Sequence, residues 1–302
     1  FMRPWYNEET TMGALFVIKE YLIPSLFEAG DFKDPEWFFD HTSWIRRNRM
    51  ARASVDCALW ELYSKELGIP EYKALGGVRD EIEKCMAQGY RRVKCKIKPG
   101  YDINYLRAVR KEYGDIMLMV DANSAYTLDD IDLFKEMDEL GLLMIEQPLA
   151  SDDIVDHRHL QQAIQTPVCL DESIDSVDDA RRAIELGSCK IINIKVARVG
   201  GLTEARRIQQ FAGERGVFSW CGGMVDDGVA RGHNMAVATL PYYKYPNDIP
   251  GSDRYYADDI VTPSTYIDSH AKIQLPDLPG TGFELNQEVV DRHTLEKWEF
   301  GK

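Results

Sequence analysis

The sequence predicts an α/β protein: a (β/α) TIM-type barrel with an α+β capping domain. Two observations lead there. After Gly77, short β-rich apolar runs alternate with longer amphipathic stretches, the pattern of a parallel sheet with crossover helices. Charged residues also recur at one phase of that alternation. Lys96, Asp121, Glu146, Asp171 and Lys195 stand 25, 25, 25 and 24 positions apart by subtraction, each closing an apolar run just before a loop. Repeats of that length suit a barrel of roughly 250 residues and eight units, and barrel enzymes place their chemistry at the C-terminal strand ends.

The elements follow in order. Apolar residues at helical spacing predict helices over Thr11–Phe27, Pro35–Asn48 and Ala51–Leu67, the last terminated by Gly68 and Pro70. Trp5, Trp37, Trp44 and Trp60 are expected to pack among them. Strands are expected over Arg92–Ile97, Ile116–Asp121, Leu142–Glu146, Pro167–Asp171, Lys190–Lys195 and Val217–Cys221. Helices between them include Ile103–Tyr113, Leu128–Leu140, Val177–Leu186 and Thr203–Arg215. The Tyr242–Tyr245 cluster either lines the mouth or packs at the last strand. The chain divides into capping-domain helices over 1–75, the catalytic barrel over 76–270, and a segment over 271–302 that packs back on the capping domain.

Bulk properties narrow the function. The chain has 302 residues, 44% of them hydrophobic, and 36 Lys and Arg against 50 Asp and Glu leave a formal charge of −14. Such a field repels nucleic acid and anionic membranes. A small anionic substrate would then need a local cation. The longest apolar runs, Ile116–Val120 and Leu142–Ile145, are too short to span a bilayer, and no secretory signal is visible. Cys57, Cys85, Cys95, Cys169, Cys189 and Cys221 show no CxxC pair and no zinc spacing, so they read as buried thiols of a cytoplasmic protein. Oligomeric state is not legible, and a homo-oligomer remains open.

Alternation along a strand decides what points inward. Lys94, Lys96 and Lys98 share one face, with Val93, Cys95 and Ile97 on the other toward the helices. The same parity turns Asn193 and Lys195 inward and pairs Asp121 with Asn123. Asp121, Glu146 and Asp171, on consecutive strands, would converge at one rim. Three acids that close repel one another unless a cation sits among them. All-oxygen ligation without His or Cys suits a hard ion, Mg²⁺ or Mn²⁺. If Lys96 lies on strand n, Lys195 lies on strand n+4, diametrically opposed in an eight-stranded ring. A substrate carboxylate on the metal would present its α-carbon to a lysine on either side. The base has to work without its proton, which positive charge from the metal and from Lys94 favours.

The residues now match a known family. KCKIKPG (Lys94–Gly100), VDANSAYT (Val120–Thr127), IEQPL (Ile145–Leu149), CLDES (Cys169–Ser173) and NIKVARVGG (Asn193–Gly201) resemble the enolase superfamily, muconate-lactonising subgroup. WCGGM (Trp220–Met224) and SDRYY (Ser252–Tyr256) narrow the resemblance to o-succinylbenzoate synthases and N-succinylamino acid (N-acylamino acid) racemases. The resemblance implies Asp121, Glu146 and Asp171 as Mg²⁺ ligands, Lys96 as base on one face, and Lys195 on the other. In the synthase, Lys96 would remove the α-proton and assist departure of the hydroxyl, while Lys195 stays cationic beside a metal-stabilised enediolate. In the racemase, both lysines exchange protons. Asn123, Glu172, Asn193, Gly223, Met224 and Asp226 would support them.

Departures are also visible. The chain opens Phe1-Met2-Arg3-Pro4, where the family already has its N-terminal antiparallel strands behind it. Between Gly77 and Glu83 a first barrel strand and most of a helix are expected and do not occur. A seven-stranded barrel would expose an edge, so segments absent from the sequence are the favoured explanation. Val196-Ala197 replaces a usual Pro-Gly, and Asp226 a usual Glu. None of His41, His157, His159, His233, His270 and His293 closes a strand, so surface or structural roles are expected for them. Gly200-Gly201 and Gly222-Gly223 read as tight turns, since no phosphate-loop spacing occurs. Three functions follow: the synthase in menaquinone synthesis, the racemase on the same residues, and a silent binding barrel, which would have no reason to keep all five charged residues.

Overall fold

The computed structural model describes residues 6–30, 32–79, 92–269 and 272–300, with backbone alone for 81–83. Phe1–Pro4, Trp5, Cys85 and His270 lie outside the described residues. α1 (Thr11–Val17), a π-helical turn (Ile18–Leu22) and α2 (Ile23–Glu28) follow one another directly. α3 (Pro35–His41) is opened by Asp34, whose carboxylate accepts the Trp37 N–H at 2.7 Å. The sequence predicted this helix to run to Asn48, but it stops at His41. There the Thr42 hydroxyl donates back to Phe38 O at 2.9 Å, and Asn48 turns left-handed at φ 48° to open α4 (Arg49–Glu66). Glu9 receives the Met50 and Ala51 N–H groups at 2.8 and 3.2 Å, a carboxylate at the positive end of a helix.

α5 (Glu71–Ala74) leads to β1 (Glu81–Glu83), which pairs antiparallel with Lys272–Gln274 rather than joining the parallel sheet. The parallel sheet then runs through β2 (Arg92–Lys96), α6 (Ile103–Tyr113), β3 (Met117–Asp121), α7 (Ile131–Asp138), β4 (Ile145–Glu146) and α8 (Val155–Ala163). It continues with β5 (Val168–Leu170), α9 (Val177–Leu186), β6 (Ile191–Ile194), α10 (Val196–Val199), α11 (Leu202–Gly213), β7 (Phe218–Cys221) and α12 (Gly228–Ala238). β8 (Val261–Thr262), β9 (Lys272–Gln274), β10 (Glu284–Leu285) and α13 (Gln287–His293) complete the chain.

Among the described residues, six strands in the order β2 to β7 pair in parallel and curl into a half-barrel. Tyr243 adds a parallel bridge to Ser219 on the outer edge of β7. The outward faces, including Cys95, Val120, Ile145, Leu170, Ile192 and Ile194, join the helices in the main core. The inward faces stack Met119, Met144, Cys169, Ile191 and Trp220 into a second, sealed layer. This layer is the floor beneath the charged strand ends. Tyr243 is fully buried and Tyr245 packs on that floor, so of the two readings of the tyrosine cluster it is packing at the last strand that holds. Trp60 is buried and Trp37 packs in the helical layer, but Trp44 is 57% exposed. It sits in the turn beyond the early end of α3, edge-on to Tyr21, which is why the expectation of a packed tryptophan fails. No described helix is long and apolar enough to cross a membrane.

α4 is tied to the barrel by one buried carboxylate. Asp56 accepts the Thr203 N–H at 2.9 Å and its hydroxyl at 2.7 Å, and Trp60 Nε1 donates to the same hydroxyl at 2.9 Å. Gly201 is required here, because a Cβ would lie 2.3 Å from Asp56. Burial lifts the Asp56 carboxyl from 3.8 to about 7, against the pull of the Thr203 hydrogen bonds. Between those values the folded chain holds a proton that the unfolded chain has released. This group's contribution therefore falls as pH rises from 3.8 to about 7 and is flat above. The full swing is on the order of 4 kcal/mol. Urea denaturation of Asp56→Asn across that window is expected to show a flatter pH profile than the parent; an unchanged slope would refute the assignment.

Candidate active site

The parallel register brings the strand-end residues into one row. Lys96 is paired with Asp121, and Asp121 with Glu146, across adjacent strands. Asp121, Glu146 and Asp171 are essentially sealed from solvent. Lys96 Nζ donates to Asp121 Oδ2 at 2.6 Å and to Asn123 Oδ1. Lys94 Nζ bridges Asp121 Oδ2 at 3.0 Å and Glu146 Oε2 at 3.1 Å. Asn193 Nδ2 donates to Glu146 Oε1 at 2.7 Å, and Lys195 Nζ to Asp171 Oδ2 at 2.7 Å. The row thus reads lysine, three acids, lysine, with Lys94 and Asn193 inside it. The inward parity expected for Lys94, Lys96, Asn193 and Lys195 is what the contacts show.

The residues expected in support fall in three places. Asn123 Nδ2 donates to Glu172 Oε1 at 2.9 Å, linking the loops after β3 and β5. Gly223 and Met224 follow β7, where the Met224 N–H donates to Asp226 Oδ2 at 2.8 Å, so the shorter acid still holds its loop. Gly222 and Gly223 are fixed by close approach rather than by phosphate binding. A Cβ at Gly222 would lie 2.2 Å from Asn193 Oδ1, and one at Gly223 would lie 2.1 Å from Asp248 O. His157 and His233 are buried in hydrogen bonds to Asp153 and Glu71, away from the row.

Three residues escaped the reading of the sequence. Arg198 is buried, pairs with Asp171 through Nη1, and donates from Nη2 to Asn193 O at 2.7 Å. Its one signal was its place three residues after Lys195, where α10 folds it back over the strand end. Gln147 accepts the Asp171 N–H at 2.9 Å and the Ser173 N–H at 3.3 Å, bracing the next strand end from beside Glu146. Tyr6 reaches in from the other end of the chain, its hydroxyl 3.0 Å from Lys195 Nζ and 3.4 Å from Asp171 Oδ1. Nothing local in the sequence announces that contact. Asn123, Ser124 and Gln147 hold φ of 42°, 63° and 38°, left-handed backbone that only well-packed surroundings maintain at non-glycine residues.

The charges are strongly perturbed. Burial pushes the Glu146 carboxyl up to about 7, with Lys94 pulling the other way. Burial also acts on Asp171, but Lys195 and Arg198 outweigh it and hold the carboxyl down to about 2. Burial raises Glu172 to about 7, aided by Asp171. Lys94 and Lys195 lose solvation, yet the acids beside them keep both firmly protonated.

A divalent cation fits this donor set. The row offers carboxylate oxygen only, and two further buried oxygens beside it, Glu172 Oε2 and Asn193 Oδ1, have no hydrogen-bond partner. Lys94 stands between two of the acids as a cation of the chain's own. The acids have not closed on one another, however. Among the described residues, the set whose ligand atoms all approach within 4.8 Å is Glu61, Glu71 and His233. Beside Lys195, at one end of the row, opens a cavity of about 920 Å³, bounded by α1 and α4 on one side and by Lys195, Gly222, Met224 and Asp226 on the other.

Comparison with known proteins agrees with this geometry. Residues 77–289 match the family described as Enolase C-terminal domain-like. The chain is 47% identical to the o-succinylbenzoate synthase of Geobacillus stearothermophilus, over 97% of this chain and 83% of that one. It is 39% identical to the N-succinylamino acid racemase of Thermus thermophilus, over 97% of this chain and 84% of that one. The crystal structure of an enolase superfamily member from Listeria innocua superposes with a TM-score of 0.94 at 38% identity, covering 98% of this chain and 84% of that one.

Proposed function

The chain belongs to the enolase superfamily, whose enzymes work with a divalent metal, and from that premise we propose that it is a Mg²⁺-dependent o-succinylbenzoate synthase. The observation that carries the reading is the row itself: three buried carboxylates bracketed by Lys96 and Lys195, each lysine on an outer acid. Asp121, Glu146 and Asp171 would hold Mg²⁺, with Mn²⁺ as an equivalent hard ion. When bound, that cation supplies positive charge for the substrate carboxylate as the α-carbon loses its proton.

The chain's own residues do the rest. The substrate is 2-succinyl-6-hydroxy-2,4-cyclohexadiene-1-carboxylate, and the reaction removes water. Lys96, more open than its partner, takes the proton from the α-carbon. The electron pair left behind forms the new ring double bond, the C–O bond breaks, and Lys96 returns the proton to the departing hydroxyl. Lys195, held cationic by Asp171, faces the other side and steadies the negative charge that builds on the substrate. Lys94 is locked on two acids and sets the local charge rather than moving a proton. The helices α1 and α4 form a capping layer over the cavity at the Lys195 end of the row, with Tyr6 inserted at Lys195. The partner is a small carboxylate, and the free described thiols suit the cytoplasm.

The test is an ultraviolet assay with the cyclohexadiene substrate. Diene absorbance should fall quickly with Mg²⁺ and stop with EDTA, recovering when Mg²⁺ or Mn²⁺ is restored. A folded enzyme without turnover would refute the synthase. A lysine at each end of the row also favours N-succinylamino acid racemisation on the same residues. Exchange of the α-proton of both enantiomers in D₂O would establish that activity. Failure of both assays would return the chain to a silent barrel.

A further inference from the structure

Away from the strand ends, α4, α5 and α12 bring Glu61, Glu71 and His233 together, with one ligand atom from each within 4.8 Å of the others. We propose that these three side chains form a second metal site, selective for a borderline divalent ion such as Zn²⁺ or Co²⁺. The chemistry of the donors separates it from the row. An imidazole with two carboxylates suits borderline ions, whereas the oxygen-only row suits Mg²⁺.

The geometry supports a built site. Glu71 is sealed from solvent, and both of its oxygens lie 2.9–3.0 Å from His233 Nδ1. The His233 side chain is only 6% exposed. Glu61 is anchored by the Thr281 N–H at 2.7 Å, which fixes one oxygen. His233 and Glu61 both border the large cavity, which supplies an entry path and room for water as further ligands. Lys65 now balances Glu61 at 2.9 Å, but its side chain is 40% exposed and free to swing into solvent. With His233 protonated, the two acids and two cations sum to zero. A bound metal replaces the imidazole proton, which leaves to solvent, and the acids then face the ion. The ion would pin α4, α5 and α12 to one another and to the loop at Thr281.

The inference stands apart from the proposed activity, and its test needs no turnover. Co²⁺ is titrated by visible absorbance and equilibrium dialysis into the full chain, with excess Mg²⁺ saturating the strand ends. One Mg²⁺-resistant equivalent is expected, with a rise in melting temperature. Glu61→Gln and His233→Asn should each weaken it by at least about tenfold, whereas Asp171→Asn should retain it. Because Glu61 is partly exposed, its substitution removes a ligand without stranding a buried charge, so the test survives misfolding of the His233 variant. No Mg²⁺-resistant cobalt, cobalt unchanged in Glu61→Gln, or cobalt lost in Asp171→Asn would each overturn the site.

Discussion

Replacing Lys96 with alanine is expected to lower synthase turnover by about 10²–10⁴-fold, toward the upper end because one amine both removes and returns the proton. The fold should hardly notice. The Lys96 side chain is 62% exposed, and Asp121 keeps its second ammonium, Lys94, at 3.0 Å. Substitutions of that kind usually change stability by under about 0.5 kcal/mol. Mg²⁺ binding, followed calorimetrically, should persist because the three acids are untouched. Lys195→Ala should also abolish turnover, but with a cost in stability, since it strips a buried cation from Asp171 and leaves Arg198 to hold it alone. Under the racemase reading the two variants differ in another way: each should still exchange the α-proton of one enantiomer while racemising neither. Lys96→Ala with activity within about tenfold of the parent would end the mechanism.

How much of this was visible in the sequence depends on the range of the interaction. The strand ends were legible because a strand has period two and a barrel repeats, so Lys96, Asp121, Glu146, Asp171 and Lys195 carried one phase across consecutive units. The inward turn of Lys94 and Asn193 followed from the same parity. Contacts set by tertiary approach were not legible. Tyr6 meets Lys195 from 189 positions away, and Asp56 reaches Thr203 across 147. Arg198 was overlooked because a helical arginine near a strand end usually reads as solvated, and only α10 turns it back onto Asp171. The end of α3 at His41 was missed for a local reason: the Thr42 hydroxyl competes for the Phe38 and Phe39 carbonyls, which apolar periodicity alone assigns to a continuing helix.

The largest stability loss is expected from Arg231→Ala. The Arg231 and Asp259 side chains are each about 1% exposed and meet at 2.6 Å, with the Ser252 hydroxyl 2.9 Å from the same guanidinium nitrogen. Removing the arginine leaves a carboxylate buried without its cation, which typically costs about 3–5 kcal/mol. In a chain of this size that is a melting temperature lower by roughly 5–8 °C. The loss should reach the active site as well. Ser252 ties the segment after α12 to Thr265, and Arg231 Nη2 also approaches Asp226 O at 3.5 Å, beneath the loop that carries Gly223 and Met224. KM should therefore rise more than kcat falls, measured below the new melting temperature. A buried pair is costly mainly when half of it is removed, since both charges were desolvated to make it. Arg231→Met combined with Asp259→Leu should accordingly recover much of the lost stability while leaving the loop contact broken. If the single variant melts within about 2–4 °C of the parent, the pair is not holding this end of the barrel, and the packing of Val261 and Phe283 behind α12 would have to carry it instead.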